Sequence, residues 1–407
     1  MYRAESAGKV GLVMSDIQNR KRIMLIVPML HQGGFERICA MTAKLLNETC
    51  EVHLVIFSSK DMIYDVSGIH VIDLQLGAVP GKIGKLVNIF KRVQRLKKLK
   101  KELNIQMSYS FGTTANLANV LSKTKDITWA GIRGYGALEE HMDLIGRKAD
   151  RVVSCTKVME EDIKTRFTIQ KSATLYNPCH VEEIQSLAAK TVAEQFEEFF
   201  QKPGKLVVSM GRDDEIKGFW HLIKSLYLLK KTLPDVKLMI IGDGEYQEYK
   251  QLAKDLHIEE DVLFAGVHKN PFALLAKADL YALTSDTEGF PNALIEAMAC
   301  GVPCISVNCK TGPAEILLKD YQACQKQDEV YYGEYGILTP VFKGTKDLNA
   351  DSFTEEEKIF AQEMKSLLTN PLQLENYRDS GKARAKEFGM DSYVSRMMQL
   401  IEEDCAK

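Results

Sequence analysis

The chain has 407 residues, 45% apolar and 27% charged, more than one hydrophobic core usually serves, so two domains are expected. Its formal net charge of −2 gives no global basis for nucleic-acid binding. Nine cysteines are present; Cys300, Cys304 and Cys309 cluster with no histidine nearby to complete a zinc site, so they read as small buried apolar residues of a cytosolic protein.

Residues 1–22 form a polar leader carrying Arg3, Glu5, Lys9, Asp16 and Arg20, neither a signal peptide nor an anchor. No apolar run reaches the roughly 18–20 residues of a membrane span, so a cytoplasmic location is expected. IMLIVPML at 23–30 is a near-continuous apolar strand of the kind buried on both faces. A helix at 35–46 follows, then strands at 52–57 and 70–74 and a long helix at 83–103. Strands return near 105–110, 127–131 and 151–154, with a helix at 157–166 and the segment SATLYNP at 172–178. Strands alternating with helices imply βαβ units and a mostly parallel sheet, here a Rossmann-like domain over 23–185.

The polar stretch at 186–204 ends in Pro203-Gly204 and reads as a linker. The alternation restarts at 205 and defines a second Rossmann-like domain to 388, and a last helix at 389–407 reaches back to the first. The fold class is therefore α/β, with two mostly parallel sheets facing a cleft. Open sheets of this kind bind ligands beyond the carboxyl ends of their strands, which directs attention to polar residues there.

After the strand DLYALTS comes DTEGFPNALIEAMACG. Pro291 suits the first turn of a helix and Gly301 its end. Glu288 then lies in the loop before the helix and Glu296 about one and a half turns inside it. The free N–H groups of Asn292, Ala293 and Leu294 form the positive end of the helix dipole, a seat for a diphosphate. After an earlier strand, GRDDEIKGFW brings Arg212 and Lys217 to a strand end, where two cations would stabilise charge growing on a departing phosphate. Gly33 and Gly34 allow close backbone approach at another helix N-terminus.

These motifs resemble glycosyltransferase family 4, the retaining family with the GT-B fold. Glu288–Glu296 is similar to its donor signature, and Gly211 through Lys217–Gly218 to its Gly-Arg … Lys-Gly motif. HQGGFER is similar to its first Gly-Gly loop, and CKTGPAEIL to members that build surface polysaccharides and lipid-linked glycans. The resemblance implies that 23–185 binds the acceptor and 205–388 the nucleotide-sugar donor, a UDP-sugar. It implies transfer of a hexose or N-acetylhexosamine to a glycan or lipid-linked saccharide, with Glu288, Arg212 and Lys217 as catalytic residues. Gly33, Gly34, Gly289, Phe290, Pro291, Asn292, Ala293, Leu294 and Glu296 join them around the donor. His268 and Asn270 are candidate contacts to the base, Arg133 and Tyr135 to the acceptor. No Asp-x-Asp pair is found, so no metal or other cofactor is expected. A GT-B epimerase and a non-catalytic nucleotide-sugar binder are the alternatives.

Residues 82–101 contain nine Lys or Arg and no acid. Ile83, Leu86, Phe90, Val93 and Leu96 recur at helical spacing with basic residues filling the rest. Two readings follow: a core helix with a solvated basic face, or peripheral contact with an anionic membrane.

Overall fold

A computed structural model describes residues 20–406 apart from positions 32, 140 and 325. All of the polar leader but its last three residues lies outside the described residues. The chain divides into two compact units. One runs to Tyr176 and takes in Tyr393 onward; the other is Asn177–Ser392.

In the first unit the described strands are β1 (Arg22–Val27), β2 (Glu51–Ile56), β3 (His70–Asp73), β4 (Met107–Phe111), β5 (Ile127–Ile132), β6 (Arg151–Ser154) and β7 (Ser172–Thr174). They form one sheet in the order β3-β2-β1-β4-β5-β6-β7, each neighbouring pair parallel. The apolar run of β1 is used on both faces. Ile23, Leu25 and Val27 enter one core, while Met24 and Ile26 enter the other, which is why the strand reads as continuous and not alternating.

The first of these cores is completed by the far end of the chain. Tyr393, Met397, Leu400 and Ile401 of helix Met390–Cys405 pack into it. The Tyr393 hydroxyl lies 2.6 Å from that of Thr42. Asp404 receives two bonds from Arg151, at 2.7 and 2.8 Å, and one from the Trp129 indole at 2.9 Å.

Helix Lys82–Glu102 covers the other face, and of the apolar stripe read from the sequence only Val93 and Leu96 join the core. Its buried residues are Asn88, Arg92, Leu96 and Lys100, whereas Ile83, Leu86, Val87 and Phe90 are exposed. The two inward cations have partners that sequence spacing does not reveal. Arg92 donates to the Leu76 carbonyl at 2.6 and 2.9 Å and sits 4.3 Å over the Phe57 ring. Lys100 pairs with Asp126 at 2.9 Å and donates to Asn119 at 2.7 Å. Buried charge is tolerated where it is paired and hydrogen-bonded.

The second unit's described strands are β8 (Leu206–Met210), β9 (Lys237–Ile241), β10 (Val262–Gly266), β11 (Leu280–Leu283), β12 (Cys304–Val307), β13 (Tyr331–Tyr332) and β14 (Ile337–Thr339). Their order is β10-β9-β8-β11-β12-β14-β13, and β13 alone among them runs antiparallel, against β14. The unit begins ahead of the polar stretch at 186–204. In helix Val181–Ala188, Val181 and Ile184 are buried, Gln185 donates to Ala299 at 3.3 Å, and Leu187 accepts from Asn270 at 2.9 Å. Phe196 and Phe199 anchor the rest of the stretch, so its polar composition belongs to an outer face, not to a bare connection. Among the described residues, no helix is long and apolar enough to cross a membrane.

Candidate active site

The order of the second sheet reverses between β8 and β11, the switch point at which open α/β sheets hold ligands. The two loops that leave these strands carry Arg212 and Lys217 on one side and Glu288 on the other. They interlock at Gly218, whose φ of 61° is left-handed and where an added Cβ would lie 2.3 Å from the Thr284 carbonyl. The Thr284 hydroxyl donates to the Lys217 carbonyl at 2.9 Å, and the Asp286 N–H to that of Ile216, also at 2.9 Å.

The meeting of the loops pairs two residues that the sequence reading assigns to separate tasks. Lys217 Nζ lies 2.7 Å from Glu288 Oε1, with the side chains only 23% and 12% exposed. Arg212, on the same loop, is exposed, with Asp214 at 3.9 Å. Two of the three acids that follow it, Asp213 and Asp214, hold the loop. The Asp213 carboxylate accepts from the Tyr246 N–H at 2.7 Å, and its own N–H bonds the Asp243 carbonyl at 2.7 Å. The Tyr246 hydroxyl donates to Gly211 at 2.7 Å. Asp214 caps the short turn Glu215–Lys217. These bonds clasp the Arg212 loop to the loop after β9.

Glu288 is also fixed from a third direction. The Thr311 hydroxyl donates to the Glu288 carbonyl. An added Cβ at Gly312, whose φ is 95°, would lie 2.3 Å from the Pro291 ring. The CKTGPAEIL segment therefore braces the Glu288 loop. Sequence reading missed this role; Thr and Gly directly before a proline-started helix were the available signal.

Helix Asn292–Ala299 starts one residue later than expected, with Pro291 at its N-cap. The Leu294 N–H is bonded to the Pro291 carbonyl at 3.0 Å, which corrects its place among the free donors; the seat narrows to Asn292 and Ala293. The Asn292 side chain accepts from Asn177 at 3.0 Å. Glu296 is buried one turn further on. Burial, with Glu296 adjacent, pushes the Cys300 thiol up to about 12. The side chains of Phe290 and Leu294 face the core, Phe290 edge-on to Phe388 at 5.4 Å. Phe290, Gly289 and Leu294 are thus placed to shape the loop through backbone and packing. Among the described residues, no group of three or more His, Cys, Asp or Glu side chains is arranged to hold a metal ion.

His268 and Asn270 lie on the loop after β10 and line a cavity of about 230 Å³ with Phe196 and Lys269. A His268 ring nitrogen lies 2.7 Å from the Ala265 carbonyl, and the ring packs on Phe196 at 5.0 Å. In the first unit, Gly33 caps helix Gly34–Asn47 in extended conformation. It exchanges bonds with the Tyr64 hydroxyl at 2.9 and 3.2 Å. The Glu36 carboxylate lies over it, within 2.1 Å of where a Cβ would sit, so the helix end expected to face phosphate or sugar has a carboxylate of its own. Arg133 is half-buried, donating to the Leu175 carbonyl at 3.1 Å and to the Tyr109 hydroxyl. The Tyr135 hydroxyl donates to Asp162 at 2.6 Å.

The family model described as "Glycosyl transferases group 1" matches residues 192–327. An uncharacterised glycosyltransferase of Methanocaldococcus jannaschii is 34% identical over 260 residues, covering 62% of this chain and 64% of that protein, a little under two thirds of its length. A Campylobacter jejuni N-acetylgalactosamine-N,N'-diacetylbacillosaminyl-diphospho-undecaprenol 4-alpha-N-acetylgalactosaminyltransferase is 26% identical over 387 residues, covering 90% of this chain and 96% of that one. Among solved structures, Anabaena HepE in complex with UDP and glucose superposes with a TM-score of 0.70 at 18% identity, covering 94% of this chain and all of that one, a likeness of fold. Residues 192–327 thus match the group 1 glycosyl transferases, and the two Rossmann-like sheets, with the β8–β11 site within the second, have the GT-B fold.

Proposed function

We propose that the protein transfers a hexose or N-acetylhexosamine from a UDP-sugar to a glycan or lipid-linked saccharide in surface polysaccharide synthesis, with retention of anomeric configuration. The observation that carries this reading is the Lys217–Glu288 pair at the β8–β11 switch point, beside Arg212 and the N-terminus of helix Asn292–Ala299. A nucleoside diphosphate brings two or more negative charges to that place. Arg212, Lys217 and the N–H groups of Asn292 and Ala293 take them up, without a metal. As the diphosphate draws Lys217 toward itself, Glu288 turns to the sugar hydroxyls, and Glu296 receives the ribose. The bond from the anomeric carbon to the phosphate oxygen breaks, and the acceptor oxygen bonds that carbon from the same face. The acceptor proton leaves on the departing phosphate. Support for the donor comes from the UDP held by Anabaena HepE, and for the acceptor from the diphospho-undecaprenol saccharide in the Campylobacter enzyme's name.

The test is a donor panel assayed for nucleotide release with and without saccharide acceptors, in the presence of EDTA. Acceptor-dependent release that persists in EDTA and is lost in Glu288→Gln and Arg212→Ala is expected. Unchanged rates in both variants, or donor turnover indifferent to any acceptor, would overturn the reading.

A further inference from the structure

The seat for the diphosphate is the first turn of helix Asn292–Ala299, and that turn lacks the usual closure. Most helices cover their first N–H groups with a side-chain oxygen at the N-cap. Here Pro291 stands at that position and supplies none. The N–H groups of Asn292 and Ala293 are left to face a ligand. These two residues are half-buried, whereas the rest of the helix, from Leu294 to Ala299, is buried. Helix ends fray, and one without a cap does so more readily. A turn that must meet two phosphates in one geometry needs support from elsewhere in the unit.

The support comes from the segment with which the second unit begins. Asn177 is the first residue of that unit and is 6% exposed. Its side-chain amide donates to the Asn292 side chain at 3.0 Å. Pro178 follows it, and a residue before proline is confined to extended conformations, so the backbone under this amide is already restricted. Cys179, on the other side of Pro178, donates its N–H to the Phe388 carbonyl at 2.8 Å, and the Phe388 ring meets Phe290 just ahead of Pro291. Helix Val181–Ala188 then reaches the far end of the same donor helix, where Gln185 donates to the Ala299 carbonyl at 3.3 Å. One segment thus ties helix Asn292–Ala299 at both ends, and the tie at the N-terminal end is the Asn177 amide.

We propose that Asn177 is a positioning residue for the donor: its amide fixes Asn292, and with it the first turn of helix Asn292–Ala299, in the orientation that presents two N–H groups to the diphosphate. Asn177 acts through Asn292 and not on the phosphates themselves. The inference rests on the transferase reading, which supplies the diphosphate, and adds to it a residue more than a hundred positions outside the Glu288–Glu296 segment.

Binding of UDP, GDP and ADP to the full chain is measured by calorimetry in EDTA, beside a thermal melt of each variant. Asn177→Ala should weaken the nucleotide that the parent binds by about tenfold. Asn292→Ala should do the same, and the double variant no more than either, because both cut one link. Gln185→Ala removes the tie at the other end of the helix; it should lower the melting midpoint and leave nucleotide affinity unchanged. Asn177→Asp separates positioning from stability. Its carboxylate accepts from the Asn292 amide once that amide turns over, and it sits by the positive end of the helix, so the fold should melt no lower than the parent. The same charge opposes a diphosphate, so affinity should fall further than in Asn177→Ala, and salt should restore part of it. The proposal falls alone if the parent binds a nucleoside diphosphate and either Asn177 variant binds it as tightly. It also falls alone if Gln185→Ala weakens binding as much as Asn177→Ala does. If the parent binds none of the three nucleotides, the transferase reading falls and takes the proposal with it.

Discussion

Replacing Lys217 by Met removes the ammonium 2.7 Å from Glu288 while keeping most of the side-chain volume. Exposed ion pairs contribute about 0.2–1 kcal/mol, and breaking a fully buried one costs about 3–5 kcal/mol. At 23% and 12% exposure this pair stands between those limits, so Lys217→Met should destabilise the second unit by about 1–3 kcal/mol. In a unit of this size each kcal/mol moves the midpoint by about 2–4 °C, well within reach of a thermal melt. The double variant Lys217→Met/Glu288→Gln removes the stranded carboxylate as well, and should regain most of that loss. Catalysis should behave differently. Losing one cation from a charge-stabilising site lowers kcat by about 10²–10³, and removing Glu288 too leaves nothing to restore it. Melting curves and acceptor-dependent nucleotide release, measured on both singles and the double, separate the two effects. A single variant that melts like the parent, or a double variant that recovers transfer, would refute the account of this pair.

Thr311→Val keeps the shape of the brace but leaves the Glu288 carbonyl without its hydroxyl donor. A loss of about 1–3 kcal/mol and a fall in transfer rate are expected, read by the same melt and assay; full activity would show that the brace does not position Glu288. Burial alone would raise the Asp126 carboxyl, but Lys100 and the Ser108 hydroxyl outweigh it and hold it at about 2. A depressed carboxyl stabilises the fold above its unfolded value near 3.8 and loses that contribution as pH falls toward 2. Urea unfolding between pH 5 and 2 should therefore lose about 2 kcal/mol, and Asp126→Asn should flatten this part of the profile.

What could be read beforehand follows from where each constraint is written. The β1 strand announces itself because both its faces are buried from Ile23 to Val27 and every one of those positions is apolar. The loop at 284–291 shows through Gly and Pro, residues chosen for backbone geometry near in sequence. Helix Thr113–Leu121 leaves no such trace. It turns Asn116 and Asn119 inward, where they bond Ser108, Ser110 and the Trp129 and Gly131 carbonyls, so no apolar period marks it. The sequence left two readings of helix Lys82–Glu102 open for the same reason, because Asp126 and the Leu76 carbonyl decide which side of its later turns faces in. Lys217 and Glu288 were each legible from their own loops, but their contact joins positions 71 residues apart and depends on β8 lying beside β11.

The helix Met390–Cys405 has a consequence for how the chain comes into being. The second unit is complete at Ser392, yet the first still lacks Tyr393, Met397, Leu400 and Ile401 from its core, and Arg151 still lacks Asp404. During synthesis the half begun first is therefore finished last. Until those residues leave the ribosome, its early strands wait with an open apolar face, as a client for chaperones rather than as a folded domain.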